Sequence, residues 1–242
     1  MAKKKTSKKV KEHSHFIAVL VLFAGFSIYS LASFFTSNTA YIDHYYASVT
    51  EVPTETVVET DYYSYFNDVA DDHPHITAVT ELLNAGVLEG YPDGSFRPDE
   101  PMTRAGLLKV LATAVDADFG GRDLNGCFTD VTDEWYAPFV CYAKDAGWVS
   151  GHADGSYKPG DSVTRGAALK IAMEAMDYAI CDVVNTRSYD DVEETDWLAP
   201  YVCAGKRDGV TSTSLMFYPN EAMTRAEFAD ILFELMKQKQ LI

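Results

Sequence analysis

The sequence predicts a mainly α-helical fold made of three tandem helix–loop–helix repeats behind an N-terminal membrane helix. Three observations carry that prediction. Thr-Arg recurs at Thr103-Arg104, Thr164-Arg165 and Thr224-Arg225, at spacings of 61 and 60 residues. Each copy opens a run of apolar residues at i, i+3, i+4 and i+7, the pattern of one buried helix face. The runs are Leu107, Val110, Leu111, Ala114; then Ala168, Ile171, Ala172, Ala175; then Phe228, Ile231, Leu232, Leu235. Ahead of the repeats, residues 16–35 carry no charge at all. A period near 60 residues built this way is a repeat architecture, in which each unit closes its core on its neighbours.

In chain order, residues 1–15 are basic, with six lysines and one glutamate. The uncharged run Phe16 to Phe35 is long enough to cross a bilayer as a helix. The lysines hold its N-terminus on the cytoplasmic side, so everything downstream is exported. A cleaved signal peptide is the alternative, because Ser30-Leu31-Ala32 is a tolerable small-residue cleavage site. Residues 36–65 lack helical period, are acidic and tyrosine-rich, contain Pro53, and read as an extended linker.

The repeats occupy 66–120, 121–181 and 182–242. Their openings align as Phe66-Asn67-Asp68-Val69, Phe128-Thr129-Asp130-Val131 and Tyr189-Asp190-Asp191-Val192. A short helix follows each opening: Ile76 to Ala85, Pro138 to Ala146, Pro200 to Arg207. Proline suits the first helical turn, and Gly86, Gly147 and Gly209 end the three helices. Next come the turns Asp93-Gly94 and Asp154-Gly155, flanked by aromatics, which favour a tight turn with a short strand pair. The third repeat lacks Asp-Gly. The Thr-Arg helix then completes each unit, with the threonine accepting a bond from the first helical turn. Thr224 with Glu227 makes a capping box; Gly106 and Ala167 stand in the glutamate's place in the other two repeats.

An arginine in the first turn opposes the helix dipole, at a cost of a few tenths of a kcal/mol. Beside open helix-start N–H groups, however, the same arginine makes a ready anion site. Salt-bridging to a neighbour is the competing role. Beyond residue 15 the chain holds 14 basic and 35 acidic residues, a net charge of −21. Such a body is a poor candidate for non-specific nucleic-acid binding, so any anion must be caught locally by these arginines.

Cys141 and Cys203 occupy equivalent places in two repeats, with Cys127 and Cys181 upstream of them. That placement suggests one disulfide per repeat, Cys127–Cys141 and Cys181–Cys203, in an exported protein. Four buried thiols are the alternative. No C-x-x-C pair supports zinc, and no cofactor is called for. His73-Pro74-His75 reads as a solvated helix start rather than a metal site. Asp93 and Asp154 lack the carboxylate series of a calcium loop. No serine, cysteine or histidine sits in a nucleophile setting, so the chain reads as a non-enzyme.

Together, F-x-D-V, a tryptophan or histidine several residues on, G-hydrophobic-x-x-G, D-G-x-F-x-P and T-R-A-E resemble the S-layer homology (SLH) domain. The likeness covers about Phe66 to Met236. It implies a pseudo-threefold, three-pronged fold around a central three-helix bundle. It also implies binding of pyruvylated secondary wall polysaccharide or peptidoglycan in grooves between prongs, with the motif arginine on the acidic ketal. Carried over by position, those arginines are Arg104, Arg165 and Arg225. The sequence departs from the pattern at Gly106 and Ala167, and at His73-Pro74, where the other repeats have Trp135 and Trp197.

The candidate glycan-binding set is therefore Arg104, Arg165 and Arg225 with Thr103, Thr164 and Thr224 beside them. Trp148, Tyr91 and Tyr157 are candidates for stacking on sugar rings, or else core. The expected protein sits in the cell membrane with its repeats at the cell wall or surface, or is secreted after cleavage. Its expected partners are the wall glycan, the bilayer through residues 16–35, and other surface proteins. The alternative function is an exported protein–protein interaction or structural module with its arginines in salt bridges.

Overall fold

The computed structural model describes residues 65–121 and 124–242, all within one unit, Asp61–Ile242. The basic segment, the predicted membrane span at 16–35 and the linker up to residue 64 lie outside the described residues. Among the described residues no helix is long and apolar enough to cross a membrane.

Two helices form in each repeat. They are α1 (Ile76–Asn84) and α2 (Arg104–Ala114), α3 (Ala137–Asp145) and α4 (Arg165–Ala175), and α5 (Ala199–Arg207) and α6 (Arg225–Gln238). Local chemistry sets their ends. Thr103, Thr164 and Thr224 each accept the N–H of the third helical residue, and Thr224 and Glu227 complete the capping box. Proline lies in the first turn of α3 and α5. Gly86, Gly147 and Gly209 follow the first helices with φ of +72°, +81° and +74°, a conformation that glycine adopts without penalty.

The second helices meet at the centre, α2 against α4 and α4 against α6. Each first helix packs on the second helix of the preceding repeat: α3 on α2, α5 on α4, and α1 back on α6. The repeats therefore close into a ring. At its centre, Met102 N–H donates to Met223 O at 2.8 Å, Val163 N–H to Met102 O at 2.9 Å, and Met223 N–H to Val163 O at 3.0 Å. These residues are almost wholly buried, where an unpaired backbone group would cost about 1–3 kcal/mol.

Leu107, Leu111, Phe228, Leu232 and Leu235, from the predicted stripes, are fully buried. Leu108 and Leu169 are fully buried too, although neither lies on a predicted stripe. The central helices are covered from two sides, by one another and by a first helix, so one stripe understates their apolar surface. Removing such a leucine costs about 2–5 kcal/mol.

The turns after the first helices form without the expected strand pair; among the described residues only isolated bridges occur, none of them in these turns. In repeat one, Asp93 accepts from Ser95 N–H and Oγ, and these bonds with Arg97 hold its carboxyl at about 2. The next two N–H groups, of Phe96 and Arg97, go to the two oxygens of Asp68, each at 2.7 Å. Tyr91 N–H still reaches Ser95 O across the turn at 2.8 Å, but the donors of Ser95, Phe96 and Arg97 are taken by carboxylates and the pairing goes no further.

That Asp68 grip recurs in each repeat. Asp130 accepts from Tyr157 and Lys158 at 2.8 and 2.7 Å, and Asp191 from Phe217 and Tyr218 at 2.8 and 2.7 Å. The second residue of each pair, Arg97, Lys158 or Tyr218, has φ near +58° and precedes a proline. Left-handed backbone is uncommon for such residues, and two charge-assisted bonds offset its cost.

Both expected disulfides form. Cys127–Cys141 and Cys181–Cys203 have Cα separations of 5.5 and 6.0 Å and span 14 and 22 residues. Each ties the loop before a repeat's first helix to that helix, and closing such a loop contributes about 3 kcal/mol in the chain-entropy picture.

Candidate functional site

The helix starts do not present open N–H groups to a ligand, contrary to the sequence expectation. Arg104 and Ala105 N–H donate to Asp161 O and Pro159 O of repeat two, at 2.9 and 3.0 Å. Arg165 and Gly166 do the same with Glu221 O and Pro219 O of repeat three, at 2.8 and 2.9 Å. Arg225 and Ala226 close the ring on Glu100 O and Pro98 O of repeat one, each at 3.0 Å. The threonine side chain takes the next donor. Neighbouring repeats, not ligands, satisfy the helix ends, and anion binding falls to the side chains.

Those side chains also reach into the next repeat. Arg104 Nε donates to Tyr157 O at 2.8 Å, with the guanidinium 4.3 Å from the Tyr157 ring. Arg225 Nε donates to Phe96 O at 2.8 Å and Nη2 to Glu89 O at 3.2 Å, over the rings of Phe96 and Tyr91. Among the described residues no carboxylate lies within ion-pair distance of either arginine. Burial pushes the Arg225 guanidinium below its ordinary range. A partly buried cation held only by carbonyls favours an anion beside it.

Arg165 differs. Its Nη2 donates to Glu227 Oε1 at 2.8 Å, with Glu221 at 3.9 Å. Its Nε is buried and has no partner among the described residues. Burial alone would raise the Glu227 carboxyl; the Thr224 N–H and Arg165 outweigh that and hold it below its usual value.

Two cavities lie beside these arginines. The first, groove one, has a volume of about 350 Å³. Its lining comes from all three repeats: Tyr91, Thr103, Gly106 and Lys109 from the first, Trp135 from the second, Arg225 from the third. Groove three, about 470 Å³, is lined by Glu221, Glu227 and Asp230 of its own repeat, Arg165 of the second and His75 of the first. His75 Nδ1 lies 2.5 Å from Asp230 Oδ2. Arg104 stands in the corresponding place of the second junction, where Ala167 and Lys170 replace Gly106 and Lys109.

Of the candidate aromatics, Tyr91 lines groove one. Trp148 is buried, edge-on to Tyr142 at 5.3 Å. Tyr157 is fully buried, and the cost of burying its charged form raises its hydroxyl far above the ordinary tyrosine value. Neither ring offers a face to a sugar. The exposed tryptophans are Trp135 and Trp197, each 61% exposed. Lys109 escaped the sequence reading because only the fold sets it beside an arginine 116 residues away. Among the described residues no cluster of three metal-ligating side chains occurs.

The fold and grooves define a class: a closed ring of three repeats with clefts lined by residues of neighbouring repeats. Comparison with known proteins identifies it. The sequence profile of the S-layer homology domain matches three times, over residues 65–105, 128–169 and 188–229, and the chain belongs to that family. It is similar to the S-layer protein sap of Bacillus anthracis, 26% identical over 177 residues, covering 72% of this chain and 21% of that protein. It is also similar to exoglucanase XynX of Acetivibrio thermocellus, 31% identical over 184 residues, covering 72% of this chain and 16% of the relative. The cellulosome-anchoring protein of the same species is 30% identical over 142 residues, 53% of this chain and 32% of that protein. The match spans a third or less of each of these relatives.

Proposed function

We propose that this protein is a non-catalytic cell-surface anchor whose repeats hold an acidic glycan of the cell wall, while residues 16–35 lie in the membrane. The reading rests chiefly on Arg225. A cation with no carboxylate partner among the described residues borders a cavity that also holds Lys109, Tyr91 and Trp135. A guanidinium and an ammonium suit a carboxylate, and two aromatic rings suit the apolar face of a sugar. The names of the relatives, a surface-layer protein and an anchoring protein, support a role at the cell surface or wall. The second reading, an interaction module with internally paired arginines, is favoured only at Arg165.

Co-sedimentation of the full chain with purified sacculi tests the proposal, before and after acid extraction of the wall polysaccharide. Lys109→Gln is the informative variant, because Lys109 pairs only with Glu89 at the surface and surface pairs contribute under about 1 kcal/mol. We expect it to fold normally and to weaken retention about tenfold, the loss of one charge-assisted contact. Undiminished retention of Lys109→Gln with Arg225→Lys would favour the interaction-module reading.

A further inference from the structure

We propose that the Cys181–Cys203 disulfide is a thiol–disulfide exchange site opened by a dithiol reductant, whereas Cys127–Cys141 is a permanent structural bond. The two bonds are built alike, each joining the loop before a first helix to the fifth residue of that helix. Their surroundings differ. Cys141 is 2% exposed and lies within the hydrophobic core, while Cys181 and Cys203 are both half-buried. Arg207 stands four residues beyond Cys203 on α5, and so on the same helix face. Its Nη1 lies 3.8 Å from Cys181 Sγ, and its Nη2 donates to Ala179 O at 3.4 Å. Asp208 accepts from Nε and Nη2 at 2.7 and 2.5 Å, which orients the planar fork and leaves Nη1 to the sulfur. The Arg207 side chain is 51% exposed, so solvent reaches this corner. In α3 the corresponding residue is Asp145, and the cation before it, Lys144, is turned to Cys127 O.

A thiolate of the reductant attacks Cys203 Sγ. The new S–S bond forms as the Cys181–Cys203 bond breaks, and the electron pair leaves on Cys181 Sγ as a thiolate beside Arg207. A guanidinium next to a thiol lowers its pKa, and a thiol of lower pKa leaves faster. The reductant's second thiol then attacks the mixed disulfide, releases Cys203 and carries the disulfide away. The two protons that the reductant's thiols give up to water are returned to Cys181 and Cys203, so one disulfide is reduced and one dithiol oxidised. At the other bond the burial of Cys141 blocks access, and no arginine occupies the place of Arg207. Opening the exchange site unties the loop between repeats two and three from α5, which keeps its packing on α4.

Limiting dithiothreitol followed by rapid alkylation and peptide mapping of the full chain tests this. We expect Cys181 and Cys203 to be alkylated about tenfold faster than Cys127 and Cys141. A thioredoxin-type protein whose resolving cysteine is replaced by serine should be captured as a mixed disulfide on Cys203. Such capture supports a protein dithiol as the reductant; opening by dithiothreitol without capture supports a small one. Arg207→Gln should slow opening about fivefold at an unchanged melting temperature. Arg207→Lys should restore most of the rate, because the departing sulfur needs a positive charge rather than a fork. Equal rates for the two bonds, capture on Cys181, or an Arg207→Gln variant that opens as fast as the parent would overturn the proposal. The ratio of the two rates in the unmodified chain decides the matter even where a variant melts early.

Discussion

Asp68 accepts the N–H groups of Phe96 and Arg97 at 2.7 Å and so fixes Arg97 at φ +59°. The same strap offers Phe96 O to Arg225 Nε and Pro98 O to Ala226 N–H. An aspartate in the opening of the first repeat thus sets where the arginine of the third rests. Asp68→Asn replaces one acceptor oxygen with an NH₂ that faces a donor. We expect a loss of about 1–3 kcal/mol in urea unfolding, with weaker glycan retention in protein that remains folded. An unchanged unfolding midpoint would refute the role given to Asp68. The sequence displayed this aspartate three times but not its partners, which lie 26 to 29 residues downstream.

At the level of elements, helix starts and stops were legible because their causes are local. Thr103, Thr164 and Thr224 cap the helices they begin, and Gly86, Gly147 and Gly209 end the helices before them. What each helix packs on was not legible, since α1 rests on α6 from the far end of the chain. His75 marks that seam. Its bond to Asp230 outweighs the opposing effect of burial, and Asp230, Glu227 and Asp99 add their charge to raise its pKa. A raised pKa stabilises the folded state below the unfolded value of about 6.5, and the contribution fades as pH rises through the folded value. His75→Asn should therefore lower the melting temperature at pH 6 more than at pH 9. Parallel loss at both pH values would mean that His75 only fills space.

Over the whole molecule, the threefold arrangement followed from the resemblance, and the structure adds that the ring closes through backbone as well as side chains. Met102, Val163 and Met223 each lend a donor to one neighbour and an acceptor to the other. The same closure carries Arg225 of the third repeat to a cavity lined mainly by the first. A fragment of residues 65–181 lacks α6, Met223 and the partner of α1. We expect circular dichroism to show no cooperative melt for it, while residues 65–242 melt in one step. A sharp transition in the shorter fragment would show that repeats fold independently.

A linear solenoid grows by adding units and needs caps at its ends. The Met102–Val163–Met223 triangle permits no such growth, for it has no open donor and no open acceptor to offer a fourth member. Repeat number is thereby a geometric constant of the unit rather than an accident of duplication. Longer arrays of this design would come as further rings of three, joined like beads.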